Sequence, residues 1–164
     1  MKLLTGALVA MLAGLAARDA HPAPHGFPLQ GTWTLVAADK LLPDGTTARD
    51  YGNKPKGRLI VDAQGGYSLQ IFKSERTRFA TDNKGDGSVD EMRSAVMGSS
   101  THYGAISIDR SAGLLVFSIE GSSFPNWEGT TQKREYTLDG NELRYKVPPR
   151  PDGSVPVSVW RRVD

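Results

Sequence analysis

Short stretches in which apolar and polar residues alternate follow one another from residue 31 to the end of the chain. An alternation with a period of two is typical of β-strands that bury one face and expose the other. The pattern predicts eight strands, at residues 31–39, 57–62, 66–74, 101–110, 114–121, 130–138, 142–147 and 154–162. Turn sequences such as Gln64-Gly65-Gly66 and Asp139-Gly140-Asn141 favour antiparallel hairpins over βαβ units. We therefore expect an all-β fold, an eight-stranded antiparallel up-and-down barrel.

The alternation stops between residues 74 and 100, where the spacing of the apolar residues becomes helical. Val89, Met92 and Val96 would share one side of a short helix at residues 88–97. Ser88, followed three residues later by Glu91, fits a capping box at the start of that helix. We expect the helix to pack over one opening of the barrel, as a lid or plug.

The period of two also predicts which side chains point into the barrel. Three strands have an apolar face opposite polar neighbours, formed by Trp33, Leu35 and Ala37 on the first, Tyr67, Leu69 and Ile71 on the third, and Leu143, Tyr145 and Val147 on the seventh. The interior of an eight-stranded barrel is either filled by side chains or wide enough for one small ligand. The interior is therefore the expected place of function.

Two arginines interrupt these apolar faces. Arg134 shares its face with Tyr136 and Leu138, and Arg161 continues the face of the valines in the last strand. A guanidinium in an apolar interior must be paired, hydrogen-bonded or stacked, because an isolated buried charge is strongly destabilising. We expect Arg161 to stack on Trp33 in a structural role, with a cation–π energy of about 1 kcal/mol. We expect Arg134 to contact a ligand.

The N-terminal sequence indicates one exported domain. Met1 and Lys2 precede an apolar run, rich in small residues, that extends to Ala17, which is typical of a secretory signal peptide and is placed at residues 1–20. This run is too short for a comfortable membrane span, so no stable span is expected after its removal. Residues 21–28 form a proline-rich lead-in, and residues 29–164 form the barrel domain. We expect a periplasmic or secreted protein and leave the cleavage site and the oligomeric state open.

The sequence disfavours several partners and chemistries. The net charge is +2 and the basic residues are scattered, so nucleic acid is not an expected partner. There is no cysteine, which excludes disulfides and thiolate chemistry. Residues 82–93 partly imitate a calcium loop, but Lys84 and Arg93 stand where ligands are required, so neither a metal nor a cofactor is predicted. His102, the one histidine of the predicted barrel, is interpreted as a packed or surface residue.

Several short motifs carry a resemblance to a known family. Gly31-Thr-Trp33 resembles the Gly-x-Trp signature of the lipocalin and calycin superfamily, in which an arginine of the last strand packs over the tryptophan. Gly57-Arg-Leu-Ile, Thr101-His-Tyr103-Gly104 and above all SFPNWEGTTQKR at residues 123–134 resemble the lipocalin-like domain family of bacteria and fungi over about residues 29–162. The resemblance implies an eight-stranded calycin-type barrel with an internal cavity.

The loop at residues 124–129 contains a large amphipathic side chain, Trp127, between Pro125 and Gly129. Pro125 stiffens a turn and Gly129 permits a positive φ. Trp127 either lines the mouth of the cavity or plugs the end of the barrel, and the sequence leaves both interpretations open.

We expect the barrel to bind a small, largely apolar molecule and to hold its polar or anionic end with Arg134. The candidate ligand-binding residues are Tyr67, Tyr103, Trp127, Arg134 and Tyr136, and the candidate structural residues are Trp33 and Arg161.

Two alternatives to a binding role stay open. One is a cofactor-free isomerase or cyclase that acts in the same cavity, with Tyr103, Tyr136, Arg134 and Glu120 as candidate acids or bases. The other is an envelope protein with a filled barrel, whose loops bind another protein. No complete catalytic constellation is recognisable in the sequence, so whether the protein is an enzyme is left open.

Overall fold

The computed structural model describes residues 26–163, so the predicted signal peptide and most of the proline-rich lead-in lie outside the described residues. Within that range the chain forms one α-helix, two short 3₁₀ turns at Lys84–Asp86 and Pro125–Trp127, and nine β-strands. The elements are β1 (Gly31–Leu41), β2 (Thr47–Arg49), β3 (Lys56–Val61), β4 (Gly66–Phe72), α1 (Val89–Met97), β5 (Ser99–Asp109), β6 (Leu114–Ser122), β7 (Thr131–Asp139), β8 (Glu142–Lys146) and β9 (Val155–Arg162).

Strand β1 closes the sheet into a barrel. Its first residues pair with β3, and most of its length pairs with the last strand, β9, in both cases antiparallel. The other strands from β3 to β9 each pair with the next one along the chain. The predicted closed antiparallel barrel of eight strands is confirmed, and β2 is an additional short strand that pairs with the end of β1.

The alternation of buried and exposed residues largely follows the predicted faces. In β4 the predicted inward residues are all buried, and in β8 Leu143 and Tyr145 are buried. Strand β1 differs, because its register with β9 shifts between Leu35 and Ala37. This irregularity moves the next buried position to Ala38, so the prediction that Ala37 shares the inward face of Leu35 is wrong.

One end of the barrel is closed by the segment that precedes β1. Leu29 and Trp33 are fully buried there, and the indole Nε1 of Trp33 donates a 2.9 Å hydrogen bond to the carbonyl of Leu29. The guanidinium of Arg162 lies 4.2 Å from the centre of the Trp33 ring and donates hydrogen bonds to the carbonyls of Pro28 and Gln30. One arginine therefore ties the start of the domain to its last strand.

The expectation that Arg161 stacks on Trp33 is wrong, because Arg162 occupies that position. Arg161 is exposed, and its guanidinium lies 3.6 Å from the carboxylate of Glu142. The inward face of β9 is set by Trp160, which is fully buried and shares its face with Arg162. The valines of β9 predicted the opposite face, but their side chains are smaller than that of Trp160, which takes the inward position.

Helix α1 begins as the sequence predicts. The Ser88 hydroxyl and the Glu91 carboxylate each bond the other residue's backbone N–H, which confirms the capping box. No residue of the helix is buried, and Val89, Val96 and Met97 are exposed. The helix therefore leads into β5 from the outside and does not fill the barrel. Over residues 26–163 no helix combines the length and apolar character needed to cross a bilayer.

We predict that Arg162→Ala lowers the free energy of unfolding by about 2 kcal/mol, because it removes a cation–π contact and two hydrogen bonds to backbone carbonyls. The matched control is Arg161→Ala, which removes an exposed ion pair and should change stability by less than about 0.5 kcal/mol. Urea denaturation followed by tryptophan fluorescence measures both values. Equal effects of the two substitutions would contradict the assignment of Arg162 as the closing residue.

Candidate functional site

The opposite end of the barrel contains a pocket of about 670 Å³, which we call the mouth pocket. Its apolar lining consists of Ala38, Tyr51, Ile71, Phe124, Trp127, Val147, Pro148, Pro149, Pro151, Pro156 and Val157. Its polar lining consists of Asp39, Asp50, Ser100, Gln132, Arg150 and Ser158. The predicted cavity is therefore present at one end of the barrel, whereas large side chains fill the other end.

Two loops at the rim of the mouth pocket are joined by an ion pair. Arg150 donates from Nη2 to Asp50 Oδ2 at 2.6 Å and from Nη1 to Asp50 Oδ1 at 3.3 Å. A paired contact of this kind fixes the relative orientation of both side chains. It holds the proline-rich loop after β8 against the loop that carries Tyr51, so the rim keeps a defined shape.

Below the mouth pocket, Arg134 points from β7 into the barrel and is only 3% exposed. The centre of its guanidinium lies 4.0 Å from the centre of the Phe117 ring and 5.1 Å from that of the Tyr145 ring. Its Nη2 donates a 2.8 Å hydrogen bond to Oε1 of Gln132, which lines the mouth pocket. The buried cation is thus one side chain away from the pocket.

Arg134 has no carboxylate partner among residues 26–163. Its Nε also finds no hydrogen-bond acceptor within that part of the chain. Burial lowers the pKa of the Arg134 guanidinium, which means that the surroundings oppose its charge. A buried charge is usually paired, because removing it from water is unfavourable. The site therefore holds a cation that an anion would stabilise.

His102 of β5 connects Arg134 to Tyr67 of β4. The Nε2 atom of His102 lies 3.5 Å from Nη2 of Arg134, and its Nδ1 lies 2.8 Å from the hydroxyl oxygen of Tyr67. Together with Gln132 these residues form a continuous polar chain, which we call the polar cluster (Tyr67, His102, Gln132, Arg134). The His102 ring also packs against the Trp127 ring edge to face, with the two ring centres 6.0 Å apart. This is a second contact between the cluster and the pocket lining.

The polar cluster has shifted titration behaviour. Burial, together with the charge of Arg134, lowers the pKa of His102 from 6.5 to about 3. Burial raises the pKa of the Tyr67 hydroxyl, and the positive charge of Arg134 opposes part of that rise. At neutral pH the cluster therefore contains a neutral imidazole, a neutral phenol and one cation.

The structure brings three of the five predicted ligand-binding residues to this region. Tyr67 and Arg134 belong to the polar cluster, and Trp127 lines the mouth pocket, which favours the first of its two interpretations. Tyr136 is half-buried toward the closed end of the barrel, beside Leu138. Tyr103 is 54% exposed on the outer face, where its ring lies over Gly121. Tyr103 and Tyr136 are therefore not part of the site described here.

His102 and Gln132 were missed as site residues, although the sequence contains the signal for both. Ile106 is a buried position of β5, and counting back in steps of two places His102 inward and Tyr103 outward. The same count from Arg134 places Gln132 inward on β7. In β5 the buried Ile106 gives the correct face, whereas aromatic character alone misplaced Tyr103.

The enzyme alternative loses two of its candidate acids and bases, because both Tyr103 and Glu120 are exposed on the outer face. Within residues 26–163 no three His, Asp or Glu side chains are grouped so that they could hold a metal ion. The loop at residues 82–87 is organised internally, since Asn83 donates to the Asp86 carboxylate.

Residues 30–163 match the model of the lipocalin-like domain family. The chain belongs to the lipocalin-like domain family. The match covers the whole barrel from the residue before β1 to the residue after β9. It therefore includes the mouth pocket and the polar cluster of this lipocalin-like domain.

Comparison of the lipocalin-like domain with solved structures finds fatty-acid-binding protein 1 of Echinococcus granulosus. The two chains share 16% sequence identity, and the alignment covers 83% of this chain and 98% of that chain with a TM-score of 0.37. No curated protein matches the chain.

We predict that the free energy of unfolding of Arg134→Met is no more than about 1 kcal/mol below that of the wild type, because the substitution removes a buried charge that has no carboxylate partner among residues 26–163. The loss of the cation–π contacts, up to about 2 kcal/mol, opposes this gain. Urea denaturation checks the prediction, with the exposed Arg144→Met as a control. A loss of more than about 3 kcal/mol would show that Arg134 mainly stabilises the barrel.

We predict that His102 makes the lipocalin-like domain less stable in mild acid. The unfolded chain binds a proton at His102 below pH 6.5, whereas the folded chain resists protonation down to about pH 3. Stability from this group is therefore complete above pH 6.5 and is lost as the pH falls below it. Between pH 7 and pH 5 the loss should be about 2 kcal/mol.

The matched variant is His102→Gln, which has no titrating group at this position. Its free energy of unfolding should fall less than that of the wild type between pH 7 and pH 5, measured by urea denaturation at each pH. The interval ends at pH 5, above the range in which most carboxylates titrate. Parallel pH dependences of the two proteins would rule out a strongly lowered pKa for His102.

Proposed function

We propose that the barrel binds a small amphipathic molecule whose apolar part lies in the mouth pocket and whose anionic end reaches Arg134. The observation that carries this proposal is the buried Arg134 guanidinium, which has no carboxylate partner among residues 26–163 and is linked through Gln132 to the pocket lining.

The size and lining of the mouth pocket support an apolar ligand body. Its volume of about 670 Å³ falls within the usual range for small-molecule sites, roughly 300–1,000 Å³. Proline, aromatic and aliphatic side chains form most of its wall. Burying an apolar group against such a wall contributes about 25 cal/mol for each Å² removed from water. A pocket of this size at the barrel mouth favours ligand binding over the alternative in which the loops only bind another protein.

The contact between Gln132 and Arg134 supports an anionic ligand group. The Gln132 amide oxygen is a neutral acceptor, and it currently receives the Nη2 hydrogen bond of Arg134 at 2.8 Å. A carboxylate or sulfonate at that position would bring a full negative charge to the guanidinium, so that Coulomb attraction is added to the hydrogen bond. It would also neutralise the buried cation. Binding therefore exchanges a weak acceptor for a strong one.

We also propose that the protein acts after export, in the periplasm or outside the cell. The support is the sequence of residues 1–20, with a basic start and a short apolar run of small residues. The sequence contains no cysteine, so an oxidising compartment would find no thiol to oxidise. The composition is therefore compatible with export.

The test uses two fluorescent probes of similar shape, the anionic 1-anilinonaphthalene-8-sulfonate and the neutral N-phenyl-1-naphthylamine. We predict that Gln132→Glu weakens binding of the anionic probe at least about tenfold, because the new carboxylate pairs with Arg134 and repels the sulfonate. Binding of the neutral probe should change less than about threefold, because the apolar wall is unaltered. Fluorescence titration gives both dissociation constants.

Gln70→Glu is the matched control, because it adds the same charge on the outer face of β4, where Gln70 is exposed. It should leave both dissociation constants at their wild-type values. Failure of the wild type to bind either probe would contradict the pocket as a ligand site. Equal weakening of both probes by Gln132→Glu would contradict the anionic end of the ligand.

A further inference from the structure

His102 is buried between two hydrogen-bonding neighbours whose roles differ. The Arg134 guanidinium faces Nε2 at 3.5 Å, and the Tyr67 hydroxyl faces Nδ1 at 2.8 Å. Arginine has only donors, whereas a tyrosine hydroxyl can donate or accept. The arrangement therefore allows some protonation states of the imidazole and opposes others.

A protonated His102 is opposed by its surroundings. The residue is 4% exposed, and the only charged group in hydrogen-bond contact with it among the described residues is the Arg134 cation. Phe117 and Trp127 cover the ring with their edges or faces and supply no counter-charge. An imidazolium here would be a second buried cation beside the first, so His102 is neutral.

The neutral imidazole has one N–H and one lone pair, and Arg134 decides where each lies. If Nε2 carried the hydrogen, two donors would point at each other across 3.5 Å. With the lone pair on Nε2, the guanidinium has an acceptor there. The hydrogen then lies on Nδ1 and is donated to the Tyr67 oxygen at 2.8 Å.

We infer that His102 is a positioning residue: through its Nδ1–H tautomer it makes the Tyr67 hydroxyl an acceptor toward His102 and leaves the hydroxyl proton available for the ligand beside Arg134. The second part of this inference, the donation to a ligand, rests on the proposed function. A donating Tyr67 and the Arg134 guanidinium together offer hydrogen-bond donors only. The chemical class that such a pair recognises is an acceptor-only group, a carboxylate or sulfonate, in preference to an alcohol or amine.

The tautomer is tested without any ligand. Long-range proton–nitrogen correlation spectra of histidine-labelled protein at pH 7 distinguish a protonated Nδ1 from a protonated Nε2, and the His102 signals are those lost in His102→Gln. The wild type should show a protonated Nδ1 and an unprotonated Nε2. An imidazolium signature or a protonated Nε2 would overturn the inference.

Two arginine variants test what sets the tautomer. Arg134→Met removes the donor that faces Nε2, so the His102 population should shift toward the Nε2–H form, in which the Tyr67 hydroxyl donates to Nδ1. Arg144→Met, an exposed position of β8, should leave the wild-type spectrum unchanged. An unchanged Nδ1–H signature in Arg134→Met would overturn the role given to the guanidinium.

The donation to the ligand is tested with Tyr67→Phe and the same two probes. The dissociation constant of 1-anilinonaphthalene-8-sulfonate should rise about tenfold, and that of N-phenyl-1-naphthylamine should change less than about threefold. Equal affinity of wild type and variant for the anionic probe would overturn the donor role of Tyr67. The proposed binding function is tested separately, by the probe titrations of the wild type and Gln132→Glu. The tautomer is measured without any probe. A failure of the donor role of Tyr67 can therefore be distinguished from a failure of the proposed binding function.

Discussion

The antiparallel pairing of β1 with β9 is the constraint on which the rest of this structure depends. It joins the two ends of the sheet, removes the exposed edges and encloses an interior. At one end of that interior Trp33 and Trp160 fill the space, and Arg162 ties the preceding segment over them. At the other end proline, aromatic and aliphatic side chains surround the mouth pocket. The barrel is thus filled where it is closed and hollow where its loops open.

The surroundings of Arg134 follow from this difference between the filled end and the open end of the barrel. It lies between the packed half and the pocket, stacked on Phe117 and linked to Gln132. Stacking and neutral hydrogen-bond partners compensate only part of the free energy lost when the charge leaves water, as the lowered pKa of Arg134 indicates. Folded proteins tolerate such local conflicts mainly at functional sites. The same burial that opposes the charge would strengthen its attraction for an anion, because the surroundings screen it poorly.

The neutral members of the cluster extend this arrangement. Tyr67 and His102 add hydrogen-bonding groups without adding charge, and Phe117, Trp127 and Tyr145 hold the rings and the guanidinium in place by edge and face contacts. An interior with one cation and oriented neutral dipoles differs from a general polar cavity. Under the proposed function such an interior favours an anionic ligand group over a cationic one, while most of the pocket wall remains apolar.

The sequence by itself determined the eight barrel strands, most of their faces, the capping box and the inward direction of Arg134, because a period of two and local turn chemistry act within a few residues. The tertiary structure alone decided that Arg162 and not Arg161 covers Trp33, that Trp127 meets His102, and that Tyr136 lies at the closed end. Alternation gives the side of a strand but neither the depth of a residue along the barrel axis nor the partner across the interior. Those depend on register, on the irregularity in β1 and on which side chains fill which end, and these are set only when distant strands meet.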